Sequence, residues 1–360
     1  MKMASEEVRA DADRLRVSVK RLLSVDEAGG RRWDAFVNTC PRATFFHRAA
    51  WQRIIEEIFK HPTYFLYAER GDIIEGVLPL AHVKSLMFGN ALVSLPFAVY
   101  GGIAANSEEA AQMLENEAQA LAIELGVEHL EFRNCEQHHA DWPRQDLYVT
   151  FRKTLEPDVE ANMLTIPRKQ RAMVRKGIKN GLRSEIDNTA DRFFSLYADN
   201  VHRHGTPALP KRYFDSLQRV FGDDCEILTV VGPEGRPLSS VLSFYFRDEV
   251  LPYYAGDDLS ARELAGNDFK YWELMRRACE RGIRVFDYGR SKQGTGSYAF
   301  KKNWGFEPQP LYYEYCLYKR EGIPQNNPNN AKYRLLIEAW RRMPIGLANW
   351  LGPFIVRNLG

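Results

Sequence analysis

The sequence predicts two α/β domains of like fold in tandem, followed by a short amphipathic helical extension. Three observations carry that prediction. An order of helix, hairpin, helix and buried strand occurs twice along the chain. The glycine-led strand Gly126-Val127-Glu128-His129-Leu130-Glu131-Phe132-Arg133-Asn134 returns as Gly282-Ile283-Arg284-Val285-Phe286-Asp287-Tyr288-Gly289-Arg290, 156 residues later (282 − 126). Past Tyr318 the composition shifts to a Pro/Asn linker and then a basic, apolar tail. At 360 residues, 45% hydrophobic and 27% charged, the chain is long enough for two cores of ordinary size.

The elements follow in order. Residues 1–16 read as a mobile, charged tail without an apolar signal core, and Leu15–Leu23 as a first strand. Asp26–Asn38 reads as a helix with Trp33, Phe36 and Val37 on one side, and Phe45–Phe59 as a stronger helix stopped by Pro62. Tyr64–Ala68 and Ile73–Val83 flank Arg70-Gly71-Asp72 as a hairpin. Asn90–Leu95 is a further strand leading into Pro96-Phe97-Ala98-Val99-Tyr100-Gly101-Gly102, where glycines permit close backbone approach to a ligand. Glu108–Leu125 is an acidic amphipathic helix and Val127–Arg133 a strand. In the second half, helices cover Asp191–His202 and Lys211–Phe221, and Glu226–Val231 with Leu238–Phe246 form a hairpin around Gly235. Asp268–Arg281 is again a helix, and Ile283–Tyr288 a buried strand.

Composition bounds the function classes. A net charge of +2 does not indicate global nucleic-acid binding, so any anion site must be a local patch. The cysteines, Cys40, Cys135, Cys225, Cys279 and Cys316, are scattered and without metal-type spacing, as expected of reduced thiols in a cytosol. No stretch has the roughly 20 apolar residues of a spanning helix. The expectation is a cytoplasmic protein with no metal and no tightly bound cofactor. No phosphate loop, dinucleotide fingerprint, serine elbow or Cys-His pair is present.

Between the halves, residues 166–183 carry seven Lys or Arg and no acid. Val174, Ile178 and Leu182 fall at i, i+4 and i+8, with Arg168, Arg171, Arg175 and Lys179 lining a neighbouring face. A solvated face and a phosphate-binding face both fit, the second because clustered cations repel one another until an anion offsets them. His202-Arg203-His204 could supply a base, but two histidines without a third ligand are a poor metal site. At the end, Ala331–Arg342 is a basic amphipathic helix, and Ile345, Leu347, Trp350, Leu351, Phe354, Ile355 and Val356 follow with Gly346, Gly352 and Pro353 between them. Two readings fit that tail: a helix docked on the body, or an element lying on the inner face of an anionic membrane through residues 331–356.

The densest chemistry lies in residues 282–307. A buried strand ends at Gly289, Gly294 and Gly296 open a loop, Ser297 is the expected N-cap of a short helix Tyr298–Trp304, and Gly305 stops it. Amides at such a junction favour an anion or a developing oxyanion. Arg290, Lys292, Lys301 and Lys302 surround it in sequence.

The runs Phe286-Asp287-Tyr288-Gly289-Arg290-Ser291-Lys292, Gly294-Thr295-Gly296 and Phe300-Lys301-Lys302-Asn303-Trp304-Gly305-Phe306-Glu307 resemble the FemAB family, more closely its members found with the exosortase/PEP-CTERM system. The resemblance runs from about Leu22 to Tyr318. It implies two tandem domains of the GNAT (Gcn5-related N-acetyltransferase) type, each a mixed, mostly antiparallel sheet flanked by helices. Their expected spans are 17–155 and 156–320, with an entry helix at 166–183 and a linker and tail at 321–360. It implies acyl or aminoacyl transfer to an amine of a cell-envelope or exopolysaccharide precursor, in a cleft between the domains. The donor would be aminoacyl-tRNA or acyl-coenzyme A; the family's helical coiled-coil insertion is missing here, and Gln293-Gly294-Thr295-Gly296 matches the coenzyme A loop only loosely. Lys301 and Phe300 then stand at the acyl-transfer position, with Lys301 placed to stabilise developing charge. Arg171 and Arg175 match the family's segment for the diphosphate of a phosphorylated or lipid-linked acceptor, while Ala172 and Met173 depart from it. Arg290, Ser291, Gly294, Gly296, Tyr298 and Tyr100 are further candidate substrate contacts, and Thr206-Pro207-Ala208-Leu209-Pro210 resembles a loop near the cleft. A non-catalytic scaffold of exopolysaccharide or protein-sorting machinery is the alternative class.

Overall fold

The computed structural model describes residues 16–85, 89–324 and 331–358, with 331–335 as backbone alone. The expected N-terminal tail and most of the Pro/Asn linker lie outside the described residues. The chain divides into two compact units, one formed by residues up to Asp146 with Leu311–Pro324, the other by Leu147–Pro310 with the C-terminal helices.

The first unit begins with β1 (Val17–Leu22), α1 (Glu27–Thr39), α2 (Ala50–Ile54), β2 (Thr63–Arg70) and β3 (Ile73–Ser85). It continues with β4 (Gly89–Ser94), β5 (Ala104–Ala105), α3 (Glu108–Glu124), β6 (His129–Asn134) and β7 (Arg144–Gln145). The second unit contains β8 (Tyr148–Thr154), α4 (Val159–Thr165), α5 (Arg168–Lys179), β9 (Arg183–Asp187), α6 (Asp191–Arg203) and α7 (Lys211–Phe221). There follow β10 (Cys225–Val231), β11 (Pro237–Phe246), β12 (Glu249–Asp257), α8 (Ala261–Leu264), α9 (Gly266–Glu280), β13 (Val285–Asp287), β14 (Ser291–Lys292), α10 (Gly296–Asn303) and β15 (Pro308–Pro310). β16 (Tyr312–Leu317) returns to the first unit, and α11 (Ala331–Arg342) and α12 (Ile345–Val356) close the chain.

In the first unit the strand order is β1-β2-β3-β4-β6-β16-β7, with β5 on β3. Every pair is antiparallel except β4–β6, which α3 connects. α3 buries Ala110, Leu114, Ala118 and Ala122, four residues apart, against Leu78, Leu80, Leu92, Leu130 and Phe132. Three alanines in that stripe let the helix lie close to the sheet. The expected single helix over Phe45–Phe59 is instead a 3-10 turn at Phe45–His47, then α2, then a π turn at Ile55–Phe59. Indole N–H groups explain the break: Trp33 donates to the His47 carbonyl (2.5 Å) and Trp51 to that of Phe45 (3.2 Å), while Arg48 is extended.

The second unit repeats the plan in the order β14-β8-β13-β12-β11-β10-β9, with β15 on β8. Again one pair, β12–β13, is parallel, and a helical crossover joins it. Gly126 (φ +61°) and Gly282 (φ +73°) end the two crossover helices in the left-handed region, so the sequence echo marks equivalent turns. The parallel pairing is brief: Glu249 faces Val285 and Val250 faces Phe286, after which β12 runs on to Asp257 without β13. Phe151, Trp272, Phe286, Trp304 and Phe306 form the centre of this core.

Two strands depart from the expected domain spans. β8, placed by sequence within 17–155, pairs with β13, β14 and β15 of the second unit. β16, placed within 156–320, pairs with β6 and β7 of the first. Both partnerships join residues more than 130 apart in sequence (285 − 154 = 131 at the least), which no local pattern encodes. The C-terminal helices dock on the second unit. Trp340 and Ala348 are buried, Arg341 Nη2 donates to the His204 carbonyl (3.4 Å), and a methyl group at Gly352 would stand 3.0 Å from the Ala208 carbonyl. Of the two readings of the tail, docking is the one observed. In the 206–210 loop Ala208 and Leu209 are buried, Ala208 close to Gly352, while Thr206 is exposed.

Candidate active site

The site is built where β13 ends. Asp287 is fully buried, and its carboxylate accepts from Thr150 Oγ1 (3.1 Å), Arg152 Nη1 (3.3 Å) and the Gly289 amide (2.7 Å). Arg152 also pairs with Glu249, at the start of β12. Burial raises the Glu249 carboxyl above its ordinary range, Arg152 opposing and Asp287 adding to the rise. This bracing turns the chain sharply at Gly289 (φ +63°) and holds residues 288–290 against the core.

Lys301 reaches the same turn from α10. Its Nζ donates to the carbonyls of Tyr288 (2.7 Å), Gly289 (3.0 Å) and Arg290 (3.3 Å) and lies over the rings of Phe151 (5.6 Å) and Tyr288 (5.7 Å). Burial pulls its ammonium down to about 7, Asp287 resisting and Arg290 assisting. In the protonated form the three N–H bonds of the ammonium fill the three carbonyl acceptors, while burial works against the charge. That arrangement leaves no N–H for a substrate oxyanion in this conformation. Lys301 clamps the loop that the sequence expected it to serve as a donor.

The cap of α10 also differs from expectation. Thr295, not Ser297, is the N-cap: its Oγ1 accepts from the Tyr298 amide (3.3 Å) and donates to the Lys292 carbonyl (2.7 Å). Ser297 sits in the first turn, its Oγ 3.0 Å from that of the buried Ser291. The shift follows from Gly294 (φ +75°), which turns the chain so that the helix begins two residues earlier. The amides of Gly296 and Ser297 have no acceptor among the described residues, and both residues are exposed. Tyr298 is half-buried, edge-on to Phe151 at 5.4 Å. Arg290 is exposed and stacks over Tyr148 (4.5 Å). Phe300 is half-buried beside Tyr271 (5.5 Å) and Trp304 (5.9 Å).

The basic helix α5 starts beside this segment. A methyl group at Gly305 would stand 3.3 Å from Pro167, and Lys153 bonds Thr165 Oγ1 (3.1 Å) while lying over Phe306 (5.7 Å). Val174 and Leu182 are buried as expected, but Ile178 is 52% exposed; Gln170 and Gly177 complete the inner face instead. Gly177 is required there, since a methyl group would come within 2.8 Å of Phe269 Cβ. Arg168, Arg175, Lys176 and Lys179 are exposed and Arg171 half-buried, and none has an ion pair among the described residues. Tyr100 belongs to the first unit, where it is buried against Phe46 (6.0 Å). His202 Nε2 is buried without a partner, and no group of three or more metal-ligating side chains occurs among the described residues. Sequence reading missed Thr150, Arg152 and Glu249; charged residues inside apolar strands were the available signal.

Residues 168–302 match the family described as "Acetyltransferase (GNAT) domain". That match lies within the second unit. A 122-residue stretch is 26% identical to the UDP-N-acetylmuramoylpentapeptide-lysine N(6)-alanyltransferase of Weissella viridescens, covering 33% of this chain and 36% of that one. The chain thus spans about a third of that curated relative's length. Among solved structures, FemX superposes with a TM-score of 0.65 at 14% identity, over 82% of this chain and 97% of that one. A tandem GNAT protein from the clavulanic acid biosynthesis pathway gives 0.54 at 13% identity, over 83% and 98%. These likenesses show the fold, a tandem arrangement of GNAT-type units, each a mixed sheet flanked by helices. Within the stretch that matches the GNAT domain lie the Lys301 clamp, the cap of α10 and the whole of α5.

Proposed function

We propose that this chain is a Fem-like N-acyltransferase that passes an aminoacyl or acyl group to an amine on a cell-envelope precursor. One observation carries the reading: inside the stretch that matches a GNAT domain, a buried lysine and a buried aspartate lock a turn whose neighbouring helix start offers unused amides. Rigid donors near a helix N-terminus suit the oxyanion of acyl transfer, because they need no reorganisation as charge develops. The amides of Gly296 and Ser297, with Arg290, are the proposed donors; Lys301 and Asp287 position them. The acceptor amine must arrive unprotonated and aligned, which anchoring of its remote end provides.

That anchor is α5. Arg168, Lys169 and Arg171 crowd its first turn, where the helix dipole disfavours cations, and no acid offsets them. A phosphorylated or lipid-linked acceptor resolves the conflict, with Arg171 and Arg175 on its phosphates. The named activity of the Weissella relative, alanine transfer to a lysine of a UDP-linked muramoyl pentapeptide, makes aminoacyl-tRNA the leading donor and a peptidoglycan precursor the leading acceptor; acyl-coenzyme A is the second donor to test. The likeness of residues 286–307 extends the proposal to extracellular-polymer synthesis beside exosortase machinery, on the cytoplasmic side.

The test is incubation of the full chain with charged tRNA or acetyl-coenzyme A and a UDP-linked muropeptide bearing a free lysine amine, read by mass spectrometry. A new amide on the acceptor is expected, and Arg171→Glu with Arg175→Glu should raise KM at least about tenfold while leaving kcat within about threefold. Absence of product with either donor, from protein that binds neither tRNA nor the muropeptide, would overturn the reading.

A further inference from the structure

α12 is built inside out. Its docked side presents the small residues Ala348 and Gly352, four apart, with Gly352 close against Ala208. Its outer side carries Leu347, Trp350, Leu351 and Phe354 at i, i+3, i+4 and i+7, the spacing of a core-facing stripe. Trp350 is 65% exposed, Phe354 56% and Leu347 45%, and the Trp350 and Phe354 rings pair edge-to-face at 6.0 Å. Ile345, at the start of the same helix, is also exposed. Large apolar side chains gathered on one outer face mark a surface built for a partner.

The surrounding charge says which partner. Arg341 and Arg342 lie a few residues before the helix and Arg357 directly follows it, all exposed; Glu338 pairs with Arg341 (4.0 Å) and Arg342 (3.0 Å), and no Asp or Glu follows it, so the cations exceed the acid three to one. A second copy laid on this face antiparallel would bring Arg341 and Arg342 against Arg357 of its mate. An apolar stripe with an aromatic pair, cations in excess at both ends and no acid on the helix itself instead matches an anionic bilayer surface, where rings enter the interface and arginines meet lipid phosphates. At 12 residues with Pro353 inside, the helix is too short to span a bilayer and suits lying along it.

We infer that α12 is a lipid-contacting element that seats the second unit on an anionic membrane surface through Leu347, Trp350, Leu351 and Phe354. The inference does not depend on the acyl-transfer reading. Docking and lipid contact use opposite faces of one helix, so both can hold at once.

The experiment is co-sedimentation of the full chain with vesicles of phosphatidylcholine alone or with about a third phosphatidylglycerol. Binding to the anionic vesicles should exceed that to the neutral ones by at least about tenfold and weaken as salt rises. Trp350→Ser with Phe354→Ser should cut partitioning by at least about tenfold, and Arg342→Glu with Arg357→Glu should remove the preference for anionic lipid. For the intact fold, bromine-labelled lipid should quench tryptophan emission in the wild type and quench it less in Trp350→Phe. Equal sedimentation of wild type and the serine variant, or no quenching difference, overturns the inference. So does a wild-type dimer that the serine variant turns into a monomer by light scattering, which would assign the face to self-association.

Discussion

Lys301 illustrates how a burial cost becomes a positional device. An ammonium is taken out of water and compensated by three carbonyls and the field of Asp287, so its removal orphans three acceptors at once. Lys301→Ala should therefore lower stability by about 3 kcal/mol or more, visible as a fall in Tm, as well as abolishing any transfer activity. The pH dependence has a defined sign. The folded value near 7 lies below the unfolded value of 10.5, so between those limits the unfolded chain holds more protons. The lysine's contribution rises with pH across that window, and the Tm difference between wild type and Lys301→Met should shift in favour of wild type from pH 7 to pH 10. A difference that stays constant would show that the carbonyls hold the cation throughout. Thr295→Ala, which strips the α10 cap, should cost about 1 kcal/mol with little more than local loosening, detectable by hydrogen exchange of the Tyr298 amide.

At the level of elements, close packing is set by glycines that sequence reading did not single out. A methyl group at Gly256 in β12 would lie 2.3 Å from the Tyr197 nitrogen and 2.5 Å from the Leu196 carbonyl carbon, both backbone atoms of α6. Backbone cannot step aside as a side-chain tip can, so Gly256→Ala should cost about 3 kcal/mol and separate α6 from the sheet, checked by chemical denaturation. The element assignments made from periodicity held where one face is apolar and one polar, as in α3, α6 and α7. They failed where carbonyls found side-chain partners, as between Phe45 and Phe59, and where a strand is buried on both faces. β12 reads Glu-Val-Leu-Pro-Tyr-Tyr-Ala-Gly-Asp and has no alternation to betray it.

For the molecule as a whole, the return of β16 to the first unit is the most consequential pairing. Its Glu314 is fully buried and accepts from the Asn134 side chain (2.7 Å) and the amides of His138 and His139 (3.0 Å each), while the His139 ring bridges it to Glu115. Glu314→Ala leaves those donors without their acceptor and should destabilise the first unit by about 3 kcal/mol or more, measured as an early unfolding transition. A chain ending at residue 310 should lose the first unit outright, since β6 would lose its ladder partner and, with it, the buried Glu314, whereas the same cut placed at residue 324 should leave it folded.

The amino-acid order by itself determined the two-fold repeat, the helices with one apolar face, the clustering of chemistry in residues 282–307 and the charge of α5, because each is a local pattern of period, turn residue or composition. Only the tertiary structure decided which unit owns β8 and β16, that Arg152 and Glu249 stand behind Asp287, that Lys301 is consumed by the loop it stabilises, and that α12 turns its large side chains outward. Those outcomes depend on which distant groups satisfy a buried charge or carbonyl, and a chain meets such partners only after it has folded.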